Sequence, residues 1–111
     1  MKLISLNIWG GKIYEPLLNF IKNYSEEVDV FCFQEVFSFE KPEISRGARL
    51  NIFEELKKIL FGYRSFFDFI QEDVDIEGVI KIPAKRGQAI FVKDGFEFEK
   101  NGFEFTHQGF N

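Results

Sequence analysis

Two polar residues, Asn7 and Glu35, stand near the ends of apolar runs and have the chemistry to hold a cation. Asn7 lies near the end of a predicted buried strand at Lys2–Trp9, and Glu35 closes a second one at Val28–Gln34. An amide carbonyl and a carboxylate are hard oxygen ligands of the kind that Mg²⁺ and Mn²⁺ prefer. A carboxylate beside an apolar strand is costly without a cation or a donor nearby. Asn7 and Glu35 are therefore candidate ligands for one divalent cation.

The segment between the two strands predicts how these side chains meet. Residues 15 to 24 have helical spacing, with Pro16 in the first turn, so the order is strand, helix, strand. Such βαβ units are almost always parallel, and the carboxyl ends of parallel neighbours meet at one edge of the sheet. Neighbouring strands lie about 4.8 Å apart, so two side chains at this edge could share one ion.

The rest of the chain predicts a mixed sheet. We expect a loop at Ser38–Arg46, a second amphipathic helix at Arg49–Phe61, and strands at Tyr63–Ile70, Val79–Ile82 and Gln88–Lys93, then a hairpin from Phe96 to Phe105 with Asn101-Gly102 at the turn. The whole chain, residues 1–111, is then one α/β domain whose mixed sheet carries two helices on one face. The other face is expected to be uncovered and rich in Phe.

Composition narrows the class of protein. The net charge of −4 argues against non-specific nucleic-acid binding, although a bound cation would still allow a phosphate-bearing substrate. The single cysteine, Cys32, excludes an intrachain disulfide and favours a reducing compartment. The N-terminus turns polar too early for a signal peptide, and no apolar run approaches the roughly 20 residues of a membrane helix. These features predict a cytoplasmic protein.

Three stretches resemble motifs of the endonuclease/exonuclease/phosphatase superfamily: Leu6–Gly11, Asp29–Val36 and Gly87–Lys93. The resemblance implies that Asn7 and Glu35 hold the catalytic Mg²⁺ or Mn²⁺ of a phosphoester hydrolase. It also implies the DNase-like fold, a four-layer α/β sandwich of about twice this length, of which residues 1–111 would be the N-terminal half. A small molecule, a lipid or a nucleic acid could each be the phosphoester substrate.

The sequence departs from that family in what it lacks. The family needs a histidine, an Asp-x-Asn pair and a closing Asp-His; here the only histidine is His107, followed by Gln108, and neither pair occurs. We therefore expect a truncated domain with weak or no activity of its own.

Other residues permit two interpretations each. Arg46 and Arg49 could hold substrate phosphate, or could be ordinary surface arginines near a helix start. Gly10-Gly11 could cradle a phosphate, but adjacent glycines more often permit a tight turn. Lys81, Lys85 and Arg86 are predicted to be a solvated basic loop. Cys32 is predicted to be a core residue, and Trp9 either lines the mouth of the site or packs at its rim.

Two further functions compete with hydrolysis. The chain could be a non-catalytic interaction module that self-associates through its exposed Phe-rich sheet. It could also be a small flavodoxin-like phosphate or nucleotide binder, for which the antiparallel ending is unsuited.

Overall fold

The computed structural model describes residues 1–71, 74–76 and 80–96. The elements, in chain order, are β1 (Leu3–Asn7), a 3₁₀ turn (Trp9–Gly11), α1 (Tyr14–Tyr24), β2 (Val30–Ser38), β3 (Ile44–Ser45), β4 (Ala48–Arg49), α2 (Ile52–Ile59), β5 (Tyr63–Gln71), β6 (Val74–Ile76), β7 (Ile80–Ile82) and β8 (Lys85–Lys93). The predicted hairpin after Phe96 lies outside the described residues.

A four-stranded mixed sheet organises the chain, in the order β1-β2-β8-β5. β1 and β2 are parallel, as the βαβ pattern predicts, and Leu3 pairs with Val30 at the start of their ladder. β8 pairs antiparallel with β2 and with β5, and β5 is an edge strand of the sheet as far as the described residues go. β3–β4 and β6–β7 form two small separate hairpins. The arrangement confirms the predicted α/β class and excludes an all-parallel flavodoxin-like sheet.

Both helices pack on the same face of this sheet, as predicted. Their inward side chains and the facing strand residues form one buried cluster, which includes Leu17, Ile21, Ile52, Phe53, Leu56, Phe31, Phe33 and Phe91. Each buried side chain of this size contributes about 1.5–3 kcal/mol relative to exposure. The ring of Phe53 stacks on Phe67 with centroids 4.9 Å apart, which ties α2 to the edge strand. Neither helix has the length and hydropathy that crossing a bilayer requires in the part of the chain that the structure describes.

The expectation that the opposite face is uncovered is wrong for its centre. Val30, Cys32 and Val92 are fully buried there, and Leu3 and Phe96 pack against this second cluster. Apolar exposure is instead concentrated on the edge strand β5, where Phe66 is 48 %, Phe69 40 % and Ile70 66 % exposed.

The segment between β2 and α2 also differs from its prediction. A hairpin, β3–β4, replaces part of the predicted loop, and α2 begins at Ile52 rather than at Arg49. The turn residues Arg46 and Gly47 have φ of 51° and 84°, which is the requirement of a two-residue type I′ turn. The hairpin was not predicted because the first residue of its turn is Arg46, where Asn or Asp is usual.

Gly87 allows β8 and β5 to approach each other closely. A Cβ built on Gly87 would overlap the carbonyl oxygen of Asp68 and the Cα of Phe69. Both neighbours are backbone atoms, so no side chain can move aside to make room. The family resemblance predicted a glycine at the start of a core strand. The close contact between β8 and β5 explains why glycine is needed there.

Candidate active site

A β-bulge sets the position of Glu35 at the carboxyl end of β2. Phe33 pairs with Ala89 and Val36 pairs with Gly87, so Gln34 and Glu35 together oppose the single residue Gln88. Phe33 and Val36 both belong to the helix-side core, which leaves Glu35 as the extra residue that does not join it. Glu35 has φ of 56°, a left-handed conformation that costs a non-glycine residue about 1–2 kcal/mol. Bulges of this kind re-aim side chains, and here the re-aimed side chain is a carboxylate.

Asn7 occupies the corresponding place on β1. It is the parallel partner of Gln34, so it lies one residue away from Glu35 across the ladder. Its Oδ1 accepts a hydrogen bond of 2.9 Å from the Trp9 N–H, which holds the turn that follows the strand. Gln34 is buried on the same row and donates from Nε2 to the Ser5 hydroxyl at 3.1 Å. Asn7 therefore supports the turn after β1, and one lone pair of its amide oxygen is left for a cation.

A cavity of about 340 Å³ opens beside Glu35. Its lining comes from the turn after β1, the end of β2, the β3–β4 hairpin and the start of β8, and consists of Trp9, Gly10, Lys12, Glu35, Phe37, Ser45, Arg46, Ala48, Leu50 and Arg86. The cavity thus lies at the carboxyl edge of the parallel pair, where the βαβ pattern predicted a site. Asn7 lines a neighbouring pocket of about 190 Å³, and Trp9 borders both.

Backbone strain is concentrated around this cavity. Within the described ranges, the non-glycine residues with positive φ are Trp9 at 48°, Glu35 at 56° and Arg46 at 51°. All three line the cavity. Such conformations cost about 1–3 kcal/mol each and persist where the surrounding structure enforces them, which is typical of functional sites.

The charge of the lining is mixed, with an excess of basic groups. Lys12, Arg46 and Arg86 share the cavity with one carboxylate, that of Glu35. Arg86 belongs to β8 rather than to a solvated loop, which corrects that prediction, and it pairs in register with Phe37. The buried Nε of Arg86 has no hydrogen-bond partner among the described residues.

Arg49 is held away from the cavity by other contacts. Its guanidinium donates three hydrogen bonds to the Glu55 carboxylate, the shortest being 3.0 Å, and lies 3.8 Å from the centre of the Tyr14 ring. The hydrogen bond to Glu55 raises the pKa of Arg49 above its already high ordinary value. Burial raises the pKa of Tyr14 beside it. These contacts support a structural role for Arg49, whereas Arg46 does line the cavity.

The glycine pair serves the tight turn. The Gly11 N–H donates to the Ile8 carbonyl at 2.8 Å, so this group is not available to a phosphate. Gly10 has φ of 64°, and a Cβ there would lie 2.8 Å from the Ala48 Cβ and from a ring carbon of Phe37. The turn can therefore close against the β3–β4 hairpin only without side chains. The same close packing brings Trp9 and Lys12 to the cavity.

Cys32 has the predicted core role. It is fully buried, and burial raises the pKa of its thiol to about 12. A thiol that remains protonated at neutral pH is a poor nucleophile.

Sequence reasoning missed three polar residues near Glu35. Gln88 faces the bulge, Asp68 is the register partner of Gln88 on β5, and Arg86 lies at the start of β8. A polar row therefore crosses all four strands, through Asn7, Gln34, Glu35, Gln88 and Asp68. Asp68 inside a Phe-rich strand and Gln88 at the start of an apolar one were the available signals. Their common row depends on strand pairing that no local pattern encodes.

The residues at this edge fit a hard divalent cation. Magnesium sites commonly use one or two carboxylates, several waters and substrate phosphate oxygens. Glu35 supplies one carboxylate, and Asn7 on the adjoining strand end supplies an amide oxygen. No group of three or more His, Cys, Asp or Glu side chains with metal-binding geometry occurs in the ranges that the structure covers. Each of the two residues therefore has a suitable ligand type, and a seat shared by both for one ion stays a prediction.

Comparison with known proteins supports the fold. No family model matches the chain, and no curated protein matches it. A solved structure of an endonuclease/exonuclease/phosphatase from Beutenbergia cavernae DSM 12333 is similar, with a TM-score of 0.61 and 21 % identity over 81 % of this chain. The match spans 25 % of the length of that protein. The chain therefore has an α/β fold consistent with part of a DNase-like domain, and shares it with about a quarter of an endonuclease/exonuclease/phosphatase protein.

Proposed function

We propose that this chain carries the first part of the active site of a Mg²⁺- or Mn²⁺-dependent phosphoester hydrolase. The observation that carries the proposal is the clustering of three strained residues, Trp9, Glu35 and Arg46, around one cavity at the carboxyl ends of β1 and β2. The DNase-like fold and the basic lining agree with a phosphoester as substrate.

The residues of the cavity, and Asn7 in the neighbouring pocket, have distinct parts in this proposal. Glu35 and Asn7 would hold the cation, which when bound supplies positive charge to the phosphoryl oxygens and polarises them. Arg46 and Lys12 would orient the phosphoester by charge-assisted hydrogen bonds. The side chain of Trp9, 53 % exposed, would pack on the part of the substrate outside the cavity. The sequence contains no Asp-x-Asn or Asp-His pair to activate water, so this chain by itself should turn over slowly or not at all.

Calorimetric titration with Mn²⁺ tests the metal seat without requiring activity. The wild-type chain should bind one ion, and Glu35→Gln, which keeps the size of the side chain but removes its charge, should weaken binding by about tenfold or more. Glu26→Gln is the matched control because Glu26 is exposed and precedes the opposite end of β2. Equal affinity in the wild type and Glu35→Gln would reject the proposed ligand.

A second candidate function, self-association, is favoured by the edge strand β5. Its exposed Phe66 is flanked two residues away by Arg64 and Asp68, and all three register partners, Val92, Ile90 and Gln88, lie on one face of β8. Two copies of β5 paired antiparallel about Phe66 would place Arg64 of each copy opposite Asp68 of the other. Opposite charges across paired strands contribute about 0.2–1 kcal/mol per pair. The charge pattern is thus self-complementary in a two-fold dimer.

Sedimentation equilibrium separates this candidate from a monomeric enzyme. If β5 pairs with a second copy, Arg64→Asp should weaken the dimer, and adding Asp68→Arg to the same chain should restore it. Lys58→Asp, on the exposed side of α2, gives the same charge change away from the strand and should leave the dimer intact. A monomer at all concentrations, or a double variant no better than Arg64→Asp, would exclude this mode of pairing.

A further inference from the structure

Three basic residues reach the cavity from separate elements. Lys12 follows the 3₁₀ turn, Arg46 is at the tip of the β3–β4 hairpin, and Arg86 is the second residue of β8. The stem of Lys12 lies beside that hairpin, with its Cγ 3.7 Å from the position a Cβ on Gly47 would take. Convergence of three chain segments is harder to produce by chance than a run of adjacent lysines.

Arg86 borders the cavity, but its Nε–H is buried and has no acceptor within the described part of the chain. Because this nitrogen has almost no accessible surface, an anion in the cavity would contact the outer nitrogens of the guanidinium instead. The planar guanidinium matches the oxygens of a phosphoryl group in a way that an ammonium does not.

The basic residues of the cavity have no ion-pair partner among the described residues, where the ion pairs join Lys2 to Glu27 and Arg49 to Glu55. Three cationic side chains and the carboxylate of Glu35 leave the lining with two net positive charges. A dianion matches these charges better than the single negative charge of a phosphodiester does. A volume of about 340 Å³ admits a small anionic molecule.

We propose that Lys12, Arg46 and Arg86 form a binding subsite for a phosphomonoester dianion, which binds without a metal. This inference deepens the proposed function, because it predicts a substrate that carries a terminal phosphoryl group. The binding step does not depend on the cation seat at Glu35 and Asn7. The two proposals can therefore fail separately.

Calorimetry in the presence of EDTA tests the subsite, with inorganic phosphate, glycerol 1-phosphate and dimethyl phosphate as probes. The two dianions should bind, and the singly charged diester should bind about tenfold more weakly or not at all. Glycerol 1-phosphate binding at least as tightly as inorganic phosphate identifies a substrate subsite. Tight binding of inorganic phosphate alone would overturn that assignment in favour of a free-anion site. No binding of either dianion in EDTA would overturn the proposal entirely.

Variants connect the binding to named side chains. Arg86→Gln should weaken phosphate binding by about tenfold, the value of one lost charge-assisted hydrogen bond. Arg64→Gln is the matched control, because Arg64 pairs with Val92 near the far end of β8. Should Arg86→Gln fail to fold, Arg46→Asn replaces it, since Asn tolerates positive φ, and it should weaken binding severalfold. Glu35→Gln should lose metal affinity and, in EDTA, should bind phosphate more tightly than the wild type, because it removes a negative charge from the cavity. Unchanged phosphate binding in the folded Arg86→Gln or Arg46→Asn variant would refute the assignment.

Discussion

Asn7 is the parallel register partner of Gln34, and the residue that follows Gln34 is the extra residue of the β2 bulge. The ladder therefore brings the backbone of Asn7 within one residue of Glu35, while the two residues line different, neighbouring pockets. Positions fixed by a ladder vary less than positions on a loop, which suits two ligands of one ion.

The strain at Glu35 predicts an unusual order of stabilities. Glu35 has φ of 56°, which alanine tolerates poorly and glycine adopts freely. We expect Glu35→Gly to be more stable than Glu35→Ala by about 1 kcal/mol, although glycine is normally the less favourable residue in a strand. Urea unfolding of the two variants measures the difference. A more stable alanine variant would mean that the left-handed conformation is not enforced at this position.

Gly87 should be among the least replaceable residues of the sheet. The Cβ of Gly87→Ala would overlap the backbone of Asp68 and Phe69, so β5 and β8 would have to separate. We expect a loss of about 3 kcal/mol or more, at the upper end of single-residue effects. Gly62→Ala is the control, because a Cβ there meets nothing within 4 Å. Thermal unfolding that shows similar losses for both variants would contradict the close approach.

The contact between Arg49 and Glu55 should stabilise the fold without contributing to ligand binding. Their side chains are only 28 % and 16 % exposed, so solvent screens the pair less than a surface ion pair. A double-mutant cycle with Arg49→Gln and Glu55→Gln should give a coupling of about 1 kcal/mol. Phosphate affinity should be unchanged in Arg49→Gln. A coupling free energy near zero, together with weaker phosphate binding in Arg49→Gln, would instead support the substrate-binding role predicted for Arg49 from the sequence.

Burial of Cys32 predicts a specific pH dependence of stability. Burial raises the pKa of this thiol from its ordinary value to about 12, so the folded state favours the protonated form. Its contribution is fully present below the unfolded pKa of about 8.5 and is lost as pH rises towards the folded value. Relative to Cys32→Ala, wild-type stability should therefore fall between pH 8 and pH 10.5, by at most about 1.4 kcal/mol per pH unit. Urea titrations at the two pH values give this difference, and a constant difference would show that the thiolate is tolerated in the fold.

The sequence allowed the parallel β1–β2 pair, both helices and the antiparallel ending to be predicted, because each depends on local periodicity and on the short connection between neighbours. Asn7 and Glu35 were chosen as candidate ligands for the same reason: both lie near the ends of apolar runs. The β3–β4 hairpin was missed because its turn has Arg46 where Asn or Asp is usual.

The remaining parts of the site depend on contacts between distant segments. Arg86 looked like part of a solvated basic stretch, since its place in the cavity requires β8 to lie beside β2. Arg49 was predicted to be able to bind a ligand, but in the structure its guanidinium contacts Glu55 and Tyr14. The bulge at Glu35 depends on the pairing of Val36 with Gly87, residues that are far apart in the chain.

Anomalous diffraction from crystals soaked in Mn²⁺ tests the central claim most directly, because it locates the ion rather than its effect. The account predicts one strong peak bonded to a carboxylate oxygen of Glu35 and to Oδ1 of Asn7, at roughly 2.1 Å from each. The peak should vanish in crystals of Glu35→Gln and persist in those of Glu26→Gln. An ion bound elsewhere, or a site with no manganese at saturating concentration, would contradict the account.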